Sequence, residues 1–356
     1  ILARLPAEAQ GKVMQCSLAA LGITDYGAIG QGPGYKQNVN LYANGARQTL
    51  ARWPNSGLIK MGDVVDPGNK DHGNPSLDRP QTFAYLGDRP SRWTTATDGW
   101  LYGHFHGGYD DAVSIGSINP QARTITTGWC VSTFTGWPEM DNGAPFRAFN
   151  LLEEIDQPGE WYLDRSSGIL YWYATVDPHT AAMRFSTNSA TMLEANNVSN
   201  LRVEGVVFEE SRGWGVAMNS CTNALLTGCT IRNMGGIEVS FQNGQQNSMI
   251  GCDLNGTDAE SCLLNDGNRD TLAPGNSVIA NCRIRNTRGT AISLGGVGNR
   301  ITHCLFENNA NSSIWFKGTN HRIEYNEFRN CCNEGEDGGV IASWGNPTYR
   351  GNFWRF

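Results

Sequence analysis

From Asn200 onward, apolar and polar positions alternate in short runs that recur along the chain. The segments NLRVEGVVFEE, NALLTGCTIRN, NSMIGCDLNG, NSVIANCRIRN, NRITHCLFENN and HRIEYNEFRNC begin at Asn200, Asn223, Asn247, Asn276, Asn299 and His321. Their starts are 23, 24, 29, 23 and 22 residues apart. Each opens on a polar turn residue, passes through alternating apolar positions to a small residue, and closes on an apolar residue followed by a polar pair. A second short run follows each: GVAMN, IEVSFQN, SCLLND, AISLGG, SIWFKG and VIASWG. Alternation of period two marks short strands, and a repeat of 22 to 29 residues marks a solenoid. A leucine-rich repeat has a similar period, but its regular leucines and asparagine ladder are missing. The pattern therefore predicts an all-β chain with a right-handed parallel β-helix over residues 185–356, in which Ile292 and Ile314 point inward.

The cysteines follow the same repeat. Cys229, Cys252, Cys282 and Cys304 hold one place in four successive coils, and Asn326 holds it in the next. Equivalent atoms of stacked coils lie ~4.8 Å apart with parallel side chains, whereas a disulfide wants converging Cβ atoms ~3.8 Å apart. An inward stack of free thiols is expected, with no zinc-clip spacing among them. Cys16, Cys130, Cys221, Cys262, Cys331 and Cys332 form no disulfide framework, which leaves the redox compartment open.

The first half has another texture. Residues 1–60 read as the first coils or edge strands of the helix, with Leu41 to Asn55 forming a strand, an Asn-Gly turn and a second strand. Residues 61–184 lack the repeat and are rich in Trp, Tyr and Phe; they predict an inserted antiparallel, sandwich-like β domain leaning against the helix. Within it EWYL and ILYWY form a hairpin turned by DRSSG.

Composition narrows the partners. The 356 residues carry 43 glycines and a net charge of −7, with a pI near 5.4. The glycines suit a fold of many turns. The negative field disfavours nucleic acid and anionic membrane surfaces. No run approaches ~18 apolar residues, and ILARLPAEAQGK lacks the regions of a secretory signal.

Chemistry is expected where the repeat breaks. The largest break, NCCNEGEDGGV, sets Glu334, Glu336 and Asp337 within four residues, and glycosidic bond cleavage needs paired carboxyl groups. Beside it, the ends of the second strands present Asn219, Gln242, Asn265, Gly295, Lys317 and Trp344, a polar ladder ending in an aromatic ring and suited to a glycan. Asp266, Arg269 and Asp270, in the loop DGNRDTLAPG, are candidates for its wall; His321 and Arg350 are further binding candidates. Glu324 reads as coil-to-coil bonding and His303 as a structural residue inside a strand. His104, His106, Asp110 and Asp111 have metal-like residue types in a spacing that matches no motif, so neither a metal nor a cofactor is expected.

The phrases NLYANGARQTLARWPN, WLYGHFHGGYDDAVSIGSINPQARTITT, NLLEEIDQPGEWYLDRSSGILYWY and EDGGVIASWGNPTYRGNFWRF resemble a bacterial group of right-handed β-helix carbohydrate-active proteins, over nearly the whole chain. Within that group the chain is most similar to the glycoside hydrolase family that includes α-L-fucosidases and xylanases. That resemblance implies a secreted or periplasmic enzyme acting on a polysaccharide or oligosaccharide, and a monomer is expected. It makes Asp337 a catalytic carboxylate, with a second expected on a coil beyond Phe356 and further coils expected before Ile1. This sequence differs from the family's usual pattern at Ala342-Ser343-Trp344 and Arg329-Asn330. A polysaccharide lyase using Lys317, His321 and Arg350 on a uronate, and a non-catalytic glycan-binding solenoid, are the other classes. The acidic loop and the net charge weigh against an anionic substrate.

Overall fold

The computed structural model describes all residues except 1–2, 30–38, 69–78, 97, 107–108, 132–139, 335–337, 344 and 356, and excepting the side chains of 109 and 110. It is all-β apart from short 3-10 turns, and among the described residues no helix is long and apolar enough to cross a membrane. Two compact units are present, one holding Asn40–Thr187 with most of the residues before it, the other holding the chain from Asn188.

In the first unit the strands are mostly antiparallel. One sheet runs Arg52–Trp53, Pro145–Phe149, Trp100–His106, Tyr109–Asn119, Thr124–Thr127, Thr82–Ala84 and Val64–Asp66 in spatial order. Phe83, Leu101, Val113, Ile125 and Phe146 are buried in its core. A second sheet contains the hairpin Glu160–Asp164 and Ile169–Tyr173, flanked by Val13–Ser17 and Thr49–Leu50. The Asn-Gly turn is also present: Asn44 and Gly45 both adopt positive φ, the pairing that a tight hairpin's twist requires, between Leu41–Ala43 and Ala46–Arg47. Residues 1–60 thus pair with strands from the 145–185 region and do not stack as coils, a departure from the expected boundary at residue 60. Short alternating strands fit either arrangement, and here their partners lie in the aromatic-rich stretch.

The second unit is a parallel β-helix with three sheets. The first sheet stacks Leu193–Asn196, Val216–Asn219, Val239–Gln242, Cys262–Asn268, Ile292–Gly296, Ile314–Phe316 and Ile341–Ala342. The second stacks strands from Arg202–Glu204 to Phe353–Arg355, and the third from Val207–Glu209 to Glu327–Arg329. Side chains alternate in and out along each strand, so one inward row per position builds a continuous core. Val203, Leu226, Met249, Ile279, Ile301 and Ile323 form that row on the second sheet, and Ile292 and Ile314 lie in another on the first, fully buried.

Corners between sheets need a left-handed residue, which explains the abundance of Asn and Gly. Gly205, Gly228, Gly251, Asn281, His303 and Tyr325 fill the corner between second and third sheets, all with φ between 52° and 66°. His303 is therefore a corner residue and not a strand residue as expected; its ring packs 5.2 Å from that of Tyr325 one coil on. After this corner the thiols of Cys229, Cys252, Cys282 and Cys304 lie buried, with no disulfide among them. Each reaches back to the carbonyl of an inward second-sheet residue one coil earlier, as Cys304 does to Ile279 at 3.8 Å. Asn326 makes the same reach with its amide, donating to the Ile301 carbonyl at 3.1 Å while its Oδ1 accepts from the Cys304 N–H at 2.9 Å.

Candidate functional site

The corner between the first and second sheets carries most of the sequence candidates. Here the strand Cys262–Asn268 overruns its coil and turns back through Ala273–Pro274, making a hairpin that lies along the corner. Its passage depends on the segment Gly295-Gly296-Val297-Gly298. A Cβ on Gly296 would sit 1.9 Å from the Asp266 carbonyl, and one on Gly298 would sit 3.0 Å from the Pro274 side chain. Glycine is thus required for the hairpin to pass.

Asp266 roots this hairpin. Its carboxylate is fully buried and accepts from the Gly244 N–H (2.8 Å), the Asn247 amide (2.9 Å) and the Ser277 hydroxyl (2.7 Å). A carboxylate so saturated holds the scaffold and offers nothing to a ligand, which corrects its placement in a binding wall. Arg269, at the hairpin tip, does face the corner surface. Its guanidinium donates to Thr348 Oγ1 at 2.9 Å and lies 4.8 Å over the Tyr349 ring. Thr348 and Tyr349 belong to the turn NPTYR, where Arg350 donates to the Pro347 carbonyl at 3.0 Å and stays exposed. Asp270 is exposed at the same tip.

His321 is also internal. Its Nδ1 accepts from the Asn299 N–H at 3.2 Å, its Nε2 donates to the Lys317 carbonyl at 3.0 Å, and no part of it is exposed. Burial pushes its pKa down to about 4, with Arg269 adding a smaller repulsive contribution. It is a neutral strut between coils, and not a surface binding residue. The folded-state pKa lies below the unfolded value of ~6.5, so the unfolded chain binds the extra proton between those values. The stabilisation is complete above pH ~6.5 and is lost as pH falls toward about 4, with a ceiling of roughly 3 kcal/mol. Urea midpoints of the wild type and of His321→Gln, followed from pH 7 to pH 4, are expected to converge; profiles that stay parallel would refute the assignment.

Lys317 is exposed at the end of its first-sheet strand, in line with Asn219, Gln242 and Asn265. Asn219 donates to the Asn196 side chain one coil earlier at 3.1 Å, and Gln242 donates to Ser240 Oγ at 3.0 Å. The Asn265 side chain folds over Gly295, where a Cβ would come within 2.4 Å of it. Around the corner, Ser220, Thr222, Asn243, Gln245 and Asn268 line a shallow polar cleft of about 270 Å³.

Of the acidic break, Glu334 is exposed, and its N–H donates to the Ala310 carbonyl at 3.0 Å. That bond places it at the corner between the third and first sheets. Glu336, Asp337 and Trp344 lie outside the described residues. Glu324 is buried on the second sheet between Arg300 (2.8 Å) and Arg355 (3.0 Å) of the adjacent coils. Among the described residues no three His, Cys, Asp or Glu side chains gather as metal ligands. In the first unit, His106 Nδ1 lies 3.3 Å from Asp141 Oδ1, while His104 is buried edge-on against Tyr102.

With the coils in place, residues 167–333 match the family described as "Right handed beta helix region". The solenoid is a right-handed β-helix. No curated protein sequence matches the chain. Among solved structures, one described as a glycoside hydrolase aligns at 11% identity over 97% of this chain and 80% of its own, with a TM-score of 0.43. The tailspike protein gp49 from Pseudomonas phage LKA1 aligns at 12% identity over 77% of this chain and 42% of its own, with a TM-score of 0.23. The family match covers the β-helix region and does not single out the family of α-L-fucosidases and xylanases.

Two features escaped the sequence reading. Glu238, a carboxyl group in the solenoid interior, falls one residue before a strand, where its register is hard to read. Arg322 shows nothing in the sequence beyond its outward phase, yet it has no side-chain partner among the described residues.

Proposed function

We propose that this β-helix is a carbohydrate-active protein that hydrolyses glycosidic bonds in a polysaccharide, with Asp337 as a catalytic carboxylate. The reading is carried by one observation: at the corner between the third and first sheets, where the sequence NCCNEGEDGGV breaks the repeat, Glu334 is exposed to solvent. The outer face of that sheet carries Asn219, Gln242 and Lys317, amide and ammonium groups of the type that hydrogen-bond sugar hydroxyls. The resemblance to glycoside hydrolases of the α-L-fucosidase and xylanase family supports the same assignment.

Hydrolysis needs one carboxyl group protonated and one ionised. Glu334 and Glu336, close to Asp337 in sequence, would raise its proton affinity by like-charge repulsion and favour the acid role. A lyase built on His321 is disfavoured because that imidazole is buried and bonded on both nitrogens. The test is Asp337→Asn in the full-length protein, assayed on a polysaccharide panel for reducing ends and for unsaturated-product absorbance. Turnover is expected to fall by at least ~10² with ligand affinity nearly intact, and without unsaturated product. Wild-type turnover in that variant would remove Asp337 from the chemistry. Binding without turnover in the wild type would make the solenoid a glycan-binding module.

A further inference from the structure

The outer face of the second sheet holds a second polar groove, of about 470 Å³, lined by Asn320, Arg322, Glu324, Gly351, Phe353 and Arg355. Its two outward rows differ in charge. One row reads Arg300, Arg322, Phe353 and the other Thr302, Glu324, Arg355 in successive coils. Glu324 is shared by Arg300 and Arg355, which leaves Arg322 between an arginine and a phenylalanine. Among the described residues the Arg322 guanidinium has neither an ion pair nor a hydrogen-bond partner, and it is exposed. The third sheet shows the usual alternative, in which outward arginines are matched across coils: Arg232 with Glu209, Arg285 with Asp253 and Arg283 with Glu307.

We propose that this groove binds a sugar bearing an anionic group, a carboxylate or a sulfate ester, through Arg322. The planar fork of a guanidinium donates two parallel hydrogen bonds to such a group. Phe353, 48% exposed in the same row one coil on, has the Arg355 guanidinium 5.6 Å from its ring centre and offers its remaining ring face for the apolar side of a pyranose. Arg355 closes the other side, stacked 4.7 Å over Tyr325 and anchored on Glu324, so it is pre-oriented. The floor is kept open by Gly351, whose φ is +69° and where a Cβ would come within 2.0 Å of the Asn320 side chain. Three arginines around one glutamate give this face a local charge of +2, against −7 for the chain. At ~0.1 M salt the screening length is ~10 Å, so the local charges govern a ligand in the groove.

Binding is read by calorimetry without turnover, so the result is independent of whether the protein hydrolyses anything. The probes are an oligogalacturonate, its neutral methyl ester, and a sulfated galactose oligosaccharide. At least one anionic probe is expected to bind, with the methyl ester at least ~10-fold weaker than oligogalacturonate if the carboxylate is the group recognised. A preference for the sulfated probe would assign the anion as a sulfate ester. Arg322→Ala is expected to weaken the preferred anion by at least ~10-fold at an unchanged melting temperature, and Phe353→Ala by several-fold. Should Arg322→Ala alter the melting temperature, Arg322→Gln repeats the test. No binding of either anion, or unchanged affinity in the folded Arg322 variants, would overturn the proposal.

Discussion

Glu238→Gln is expected to flatten the pH dependence of the solenoid's stability and to leave the variant the more stable protein at pH 8 to 9. Glu238 is fully buried at the corner that leads from the third sheet into the strand Val239–Gln242. One carboxyl oxygen accepts from the Asn255 N–H at 2.9 Å, and the other has no hydrogen-bond partner. Burial raises its pKa to about 8, against the lowering effect of the nearby Ser261 hydroxyl and the Asn255 N–H. The folded chain therefore holds a proton that the unfolded chain, with a carboxyl pKa of ~4.5, gives up. Stability on this account is highest below pH ~4.5 and falls as pH rises toward about 8, with a ceiling of roughly 4–5 kcal/mol. Glutamine has the shape of the neutral acid and cannot ionise. Denaturant midpoints of the solenoid transition, taken from pH 5 to pH 9, should fall in the wild type and stay level in the variant. Parallel profiles would mean that water or a rearranged partner reaches the carboxylate.

Phe306→Ala should lower the solenoid's stability by about 3–5 kcal/mol, from lost transfer energy and the cavity left behind. Phe306 is fully buried on the third sheet, and its ring lies parallel to that of Phe328 one coil on, with centroids 4.9 Å apart. Relaxation into the void is limited because Ile284 below it and Phe328 above are held in register by the sheet's hydrogen bonds. Phe306→Leu keeps much of the volume and should cost markedly less. Equal destabilisation by the two substitutions, read from urea unfolding, would show that shape and not volume decides.

The coil repeat was legible because two periodicities coincide in it. Period two sets which residues enter the core, and the period of 22 to 29 residues sets which of them touch. That is why the inward phase of Ile292 and Ile314, the thiol stack, and the substitution of Asn326 for cysteine could be read in advance. Asp266 and His321 were harder. A polar residue at a coil corner has the same sequence signature whether its side chain turns outward to a ligand or inward to a neighbouring backbone. The direction is decided by left-handed residues nearby, Gly296 and Gly267 for Asp266, and by backbone partners, for His321 the Asn299 N–H that donates to it from the adjacent coil and the Lys317 carbonyl that accepts from it. The first sixty residues misled for a related reason: a short alternating strand looks the same in a coil and in an antiparallel sheet, and only its partner distinguishes them. Arg322 was invisible because the absence of a partner is a property of the adjacent coils.

The hairpin along the first corner changes how the solenoid can come apart. In a stack of coils each unit touches only its neighbours, so opening spreads from one coil to the next as in a one-dimensional chain. Arg269 bridges past the coils of Ile292–Gly296 and Ile314–Phe316 to reach Thr348 and Tyr349. That tie adds an interaction of longer range than the nearest-neighbour terms. The four coils it ties together, from Cys262–Asn268 to Ile341–Ala342, should therefore exchange their amide hydrogens as one cooperative block, with Arg269→Ala restoring a graded, coil-by-coil order of protection.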